Sequence, residues 1–451
     1  MNSREAPGPG QLRPYTLPSV HRQTLPGDLT VLHAEQRGSG LITALVVVDA
    51  GTIRERPEQA GLASLTAESL DEGAAGRTGE ELAWQLEQLG VEPETEASWD
   101  ASWIGATIQS ERLDAALAIL ADIVQRPEFP ERQVDRVRGE QLAVILQRRK
   151  EPRALASDMM LRFLYGDAEA YGRPSVGIAE RVRHLTWADA VAFHRQNFAP
   201  GRTAVLLIGD VEQGRAVGAV QTAFAAWRGN GVPVTPPATP RSAGGGVIHV
   251  VDRPGSVQSE IRAAHAGVDR RHPDYFALRV MNTILGGAFM SRLNLNLRER
   301  NGFTYGVRSG FSFRRAPGPF LVQTAVATDV TDRALVEILR EIELLQNEGV
   351  REEEVSNARD YVAGVLPLEL QTTQQIAARF ADLVIHDLPD DYFQGYRAAI
   401  QAVTVDDVVR VARTHLDTGR LTVCIVGDGA AVQAPLAATG RGRVEIHAVP
   451  D

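Results

Sequence analysis

The chain has 451 residues, 44% of them hydrophobic and 6% aromatic, enough to build more than one core. It carries 47 basic against 57 acidic residues, a net charge of -10, with Lys150 the single lysine. That balance excludes a basic nucleic-acid-binding stripe, a phosphate-binding loop has no lysine to use, and the lone Cys424 excludes a disulfide framework or a thiolate metal cluster.

The opening "MNSREAPGPGQLRPYTLPS" lacks the charged-then-apolar order of a secretory leader, and no run approaches the ~18 apolar residues of a membrane span. The expectation is a cytoplasmic protein, with the periplasm left open. "LITALVVVDAG" (41–51) predicts a strand. "GLASLTAESLDEG" (61–73) opens as an amphipathic helix with Ser64, Ala67 and Glu68 on one face. "GRTGEELAWQLEQLG" (76–90) predicts a second helix, with a capping box Thr78…Glu81 and a terminating Gly90. Residues 97–109 alternate as an antiparallel strand with Trp99 and Trp103 on one face, where core packing is the expected role. A helix follows over 111–127 with the stripe Leu113, Leu117, Leu120 and Val124.

The chain then repeats itself. Residues 185–211 and 403–429 align at an offset of 218 without a gap: Thr186 with Thr404, Asp189 with Asp407, and Gly209-Asp210 with Gly427-Asp428. Each copy predicts a capped helix, a turn and a β-branched strand ending in Gly-Asp. The polar helices beginning near Pro130 and Arg351 repeat at an offset of 221. Between the copies, 230–246 holds four prolines and four glycines and reads as a linker. The expected domains are 11–229 and 247–451. Each is an α+β unit: a mainly antiparallel sheet with helices packed on one face, together forming half of a clam-shell.

The stretches "DAGTIRE…QAGLASL", "LYGDAEAYGRPSVGIAE" (164–180) and "LGGAFMSRLNLNLRERNGFTYGV" (285–307), with the Gly-Asp repeats, resemble the pitrilysin/insulinase zinc peptidases. The likeness is to the short bacterial type related to the mitochondrial processing peptidase. Active relatives carry His-x-x-Glu-His: two imidazoles one helical turn apart grip zinc, and the Glu is base for the metal-bound water. Here those positions read Ser64, Ala67 and Glu68, so the resemblance implies no catalytic zinc in this chain. The downstream helix offers Glu140, with nothing in the sequence aiming it at Glu68. None of the ten histidines forms an i, i+4 helical pair, and no two stand close together in the sequence. They read as structural, His194 and His415 as covering their helices.

The resemblance also implies that Arg298 and Tyr305, in "LRERNGFTYGV", are the family's pair of hydrogen-bond donors to the scissile carbonyl. They would act in trans on a partner subunit that holds His-x-x-Glu-His and zinc, with an unfolded peptide as substrate. Two alternatives stand beside this one. A structural or peptide-binding homologue without proteolysis would fit a homodimer, and an autonomous hydrolase would need a site the sequence does not display.

Overall fold

The computed structural model describes residues 15–229 and 245–450. The expected linker therefore lies largely outside the described residues. Two six-stranded sheets form the frame. The first contains β1 (His21–Thr24), β2 (Thr30–Glu35), β3 (Leu41–Val48), β4 (Glu94–Ala97), β5 (Ser102–Gln109) and β6 (Thr203–Gly209), in the order β1-β2-β6-β3-β5-β4. The second contains β7 (Val247–Asp252), β8 (Gln258–Ala266), β9 (Val307–Phe311), β10 (Pro319–Ala327), β11 (Thr422–Gly427) and β12 (Arg443–His447), in the order β9-β10-β8-β11-β7-β12.

Read from opposite ends, the sheets are one design. In each, a parallel pair (β2·β6 or β7·β11) meets three antiparallel strands. Only the outer edge differs. β1 pairs antiparallel with β2, whereas β12, the last strand, pairs parallel with β7. The repeated capped helices span Trp187–Asn197 and Val405–His415, so their ends keep the offset of 218. Both capping boxes form: the Thr186 and Thr404 hydroxyls accept from the Asp189 and Asp407 N–H groups, and the carboxylates accept from the threonine N–H groups.

The sheets are not half-open. On β3, Ile42, Ala44, Val46 and Val48 face the first half's own helices and pack with Leu65, Leu117 and Leu120. Leu45 and Val47 face the other way and join a cluster with Ile376, Ala377 and Phe380 from the Thr373–Ile385 helix of the second half. The reverse also holds. The Pro152–Tyr165 helix of the first half lays Leu155, Met159 and Met160 on Ala264, Cys424 and Val426 of the second sheet. The halves thus exchange helices, each covering the sheet face its own half leaves bare. That explains why "LITALVVV" is continuously apolar rather than alternating. Polar ties fix the junction. Arg315 Nη1 meets Asp49 Oδ1 at 2.5 Å, and Tyr171 donates to Asp100 Oδ1 at 2.6 Å while accepting from the Ala316 N–H.

One expectation fails here. Residues 97–109 are not one strand, because 98–101 turn between β4 and β5, with the Ser98 hydroxyl donating to the Ala101 carbonyl. Trp99 therefore lies in the turn and not on the same strand face as Trp103. Its indole N–H donates to the Arg173 carbonyl at 2.9 Å, and the Arg314 guanidinium stacks 3.7 Å from its ring centre. Trp103 packs against the junction core. Packing, the role expected of both, holds. No helix among the described residues is long and apolar enough to cross a membrane.

Candidate functional site

The helix that begins the metal-motif region is short, Leu62–Glu68. It starts from Gly61 at φ 107°, a left-handed conformation that favours glycine. A Cβ there would also stand 2.7 Å from Val182 and 3.0 Å from Gly177. Gly177 is equally confined, so two glycines let the 174–178 loop press against the helix start. The first-turn N–H groups are capped from outside the helix. Buried Glu55 accepts from Ala63 at 2.7 Å and from Gly61 at 3.2 Å. Burial pushes the Glu55 carboxyl up to about 8, against the pull of those N–H groups and the Arg173 guanidinium.

The three motif positions do not fit a zinc ion. Ser64 is buried, and its hydroxyl donates to the Ser175 carbonyl at 3.0 Å. Ala67 is fully enclosed in the first half's core and offers no ligand atom. Glu68 alone presents a carboxylate to solvent, raised by partial loss of hydration and then by the charge of Glu140. Glu140 is thus near Glu68 electrostatically, but its carboxylate is held by Arg136 at 2.6 Å. The side chain on the Glu131–Lys150 helix that does reach the degenerate motif is the next one. Gln141 donates to the carbonyls of Gly61 and Val176 at 2.9 and 2.8 Å. One carboxylate without an imidazole supplies neither the three protein ligands of a catalytic zinc nor a base beside it.

Arg298 and Tyr305 lie in the second half, around two π-helical turns at Thr283–Gly287 and Leu295–Arg300. Such turns interrupt the regular ladder and re-aim side chains. Here close packing holds them. A Cβ on Gly286 would sit 2.5 Å from the Ser309 hydroxyl, so the first turn lies directly on β9. Asn282 donates to the Ser309 carbonyl at 3.0 Å and accepts from its hydroxyl at 2.7 Å. Asn294 acts as a surrogate strand: its amide nitrogen donates to the Val307 carbonyl at 2.9 Å, and its oxygen accepts from the Val307 N–H at 3.1 Å. Asn296 donates to Glu337 and Glu341 at 2.7 and 2.6 Å, and Arg292 grips Glu354 with two nitrogens at 2.8 and 3.0 Å.

On this fixed base the Tyr305 side chain is free-standing. Tyr305 is 95% exposed. Arg298 lies over the Phe289 ring at 4.1 Å, with Glu299 3.3 Å away as its ion-pair partner. Both line one cavity of about 640 Å³, together with Gly286, Gly287, Arg308 and Tyr361. Its lining includes neither Ser64, Ala67 nor Glu68. The donors and the degenerate motif are thus separate places on this chain. β9, which among the described residues pairs only with β10, runs along the cavity with its outer side taken by the Asn282 and Asn294 side chains.

Sequence reasoning missed Glu55, Gln141, Asn282 and Asn294. Their partners lie 6 to 80 residues away and on backbone atoms, which leaves no local pattern to read. The glycine pair Gly286-Gly287 was the one visible signal of the close approach. Of the histidines, His194 behaves as expected. It is buried between Phe129 and Phe198, bonds the Val124 carbonyl at 2.8 Å, and is pushed down to about 4 by burial.

Comparison with known proteins agrees with this architecture. Residues 31–172 match the family described as Insulinase (Peptidase family M16), and residues 184–362 match Peptidase M16 inactive domain. A protein named an uncharacterized zinc protease in Streptomyces coelicolor is 25% identical, over 91% of this chain and 90% of its own. A probable mitochondrial-processing peptidase subunit beta of Arabidopsis thaliana is 24% identical, over 91% of this chain and 78% of its own. The crystal structure of a peptidase M16 inactive domain from Pseudomonas fluorescens superposes with a TM-score of 0.84 at 27% identity, covering 91% of this chain and 98% of that one. A protease from Helicobacter pylori shares the fold at 18% identity, with a TM-score of 0.83.

Proposed function

The chain belongs to the insulinase family of peptidases, M16, and on that premise we propose that it is the subunit without catalytic zinc of a heteromeric metallopeptidase. A zinc-bearing homologue with His-x-x-Glu-His supplies metal and base, and this chain supplies Arg298 and Tyr305 in trans. The substrate class is an unfolded peptide.

One observation carries the reading. Tyr305 stands almost wholly in solvent, with no hydrogen-bond partner among the described residues, yet the backbone beneath it is pinned by Asn282 and Asn294. An uncommitted phenol, beside a guanidinium stacked on Phe289 and paired with Glu299, is suited to donate to a carbonyl oxygen as it gains charge. The flanking Phe289 and Met290 are also exposed, 64% and 67%, as contact surface for a second chain or a peptide.

Peptide cleavage by the purified chain, by the zinc-bearing homologue, and by their mixture tests the proposal. Activity should rise only in the mixture. Tyr305→Phe should lower kcat there by roughly 10²–10³-fold, the usual effect of deleting one oxyanion donor. A mixture no faster than the homologue alone, or an indifferent Tyr305→Phe, would refute the trans role and leave a peptide-binding homologue.

A further inference from the structure

Two histidine clusters form in the fold, neither visible in the sequence. In the first, Asp274 is already spent. Its Oδ2 meets His415 Nε2 and its Oδ1 meets Arg410, each at 2.8 Å, while His272 Nδ1 accepts the Asp274 backbone N–H. That cluster ties the Tyr275–Asn282 and Val405–His415 helices together, and it has no free valence.

The second is different. β12 pairs in parallel with β7, with Glu445 in register with His249. Glu445 and His447, two apart on one strand, point to the same face as each other. Three ligand atoms converge there: His249 Nδ1 and His447 Nε2 are 3.0 Å apart, and Glu445 Oε2 lies 3.6 and 3.8 Å from them. A metal at about 2.0–2.2 Å from each nitrogen and oxygen requires every pair of ligand atoms to lie within about 4 Å, and all three pairs do. The scaffold is rigid, being two paired strands backed by Phe163 of the exchanged Pro152–Tyr165 helix. Phe163 stacks on His249 at 4.0 Å with planes 7° apart and touches His447 at 4.8 Å. Arg443 holds Glu445 by its other oxygen, Oε1, and leaves Oε2 toward the imidazoles.

We propose that His249, Glu445 and His447 form a binding site for a divalent transition metal, Zn²⁺ or Co²⁺ in class, separate from the degenerate peptidase motif. Two imidazoles and one carboxylate select such ions over Mg²⁺ or Ca²⁺, which take oxygen ligands. Without metal, the two facing nitrogens share one hydrogen. Binding moves that hydrogen to the other nitrogen of the ring that carries it, frees both facing nitrogens, and completes the shell with water on the solvent side, so two neutral imidazoles release no proton. The ion would fasten the terminal edge strand β12 to β7 under the exchanged helix. This inference does not depend on the trans-acting role of Arg298 and Tyr305.

The test is calorimetric titration of the chelator-treated full chain with Zn²⁺ alone and Co²⁺ alone, with Mg²⁺ as contrast. The expected result is one equivalent of either transition metal. His447→Gln and His249→Ala should each weaken binding at least tenfold, whereas Glu68→Ala should leave it unchanged. The metal should also raise the melting temperature of the native chain and not that of His447→Gln. Glu445→Gln, which keeps both imidazoles and the strand intact, serves if a histidine variant folds poorly, and should weaken binding as well. Absence of stoichiometric binding, or binding indifferent to His447→Gln and Glu445→Gln, overturns the site.

Discussion

Asn294→Ala is the perturbation that separates the platform beneath Tyr305 from Tyr305 itself. Asn294 is buried in the wall of the cavity that Arg298 and Tyr305 line, and its amide pairs on both sides with Val307, two residues beyond Tyr305. Truncation removes both bonds to Val307 together with those from the Asn294 amide to the Ala288 carbonyl and the Ser291 hydroxyl. It also leaves a buried N–H and C=O without partners, at about 1–3 kcal/mol apiece where no water reaches them. Val307 is 1% exposed, so little of that cost is recovered by hydration. The expected loss is about 2–6 kcal/mol, read as a lower urea midpoint at unchanged slope. Asn294→Asp should be no milder, since it keeps the acceptor for the Val307 N–H but sets an oxygen against the Val307 carbonyl. In the mixed-subunit assay, Asn294→Ala should lower kcat more than it changes KM, because the phenol loses its fixed aim rather than its chemistry. A stability change under about 0.5 kcal/mol together with full activity would show that the Asn294–Val307 pair neither holds this turn nor positions Tyr305.

Other outcomes follow from the same structure. Glu55 has a folded-state carboxyl raised to about 8 against 4.5, so its contribution to stability is full below pH 4.5 and is lost as pH rises through 8. At about 1.4 kcal/mol per pH unit this is at most about 5 kcal/mol, and Glu55→Gln should flatten the fall between pH 5 and 8 in parallel denaturant titrations. An equal slope in both proteins would contradict it. Ala67→Glu restores the peptidase residue but puts a carboxylate at a position with no exposure, and should cost several kcal/mol; a melting temperature equal to that of the native chain would show the pocket has room. Cys424 is buried, and burial pushes its thiol up to about 12. A thiol reagent at neutral pH should label it only on unfolding, and rapid labelling of the native chain would refute this.

Where an element is specified by its own neighbours in the chain, it could be read from the sequence. The capping boxes at Thr78, Thr186 and Thr404 form because donor and acceptor are three residues apart, and the Leu113, Leu117, Leu120, Val124 stripe is buried throughout. The duplication was legible for the same reason, since two copies of a local pattern announce it. What escaped depends on distance. An amphipathic helix such as Pro152–Tyr165 shows that it must cover something, but not that the sheet belongs to the other half. Trp99 kept the apolar alternation of a strand while the Ser98–Ala101 bond turned the backbone. His249 and His447, 198 residues apart, meet only because β12 adds beside β7. At the degenerate motif, the missing ligands were plain from Ser64 and Ala67. That Gln141 rather than Glu140 fills the space turned on a rotation of one residue around the helix, finer than any pattern resolves.

The exchanged helices also bear on how such a molecule can come apart. Each half, alone, would expose an apolar sheet face that only the other half's helix can cover. Severing the chain between the two sheets should therefore yield fragments that remain associated, and neither fragment should be soluble when produced singly. For a duplicated gene this is a ratchet. Once two copies have traded helices within one polypeptide, losing either is the loss of a fold.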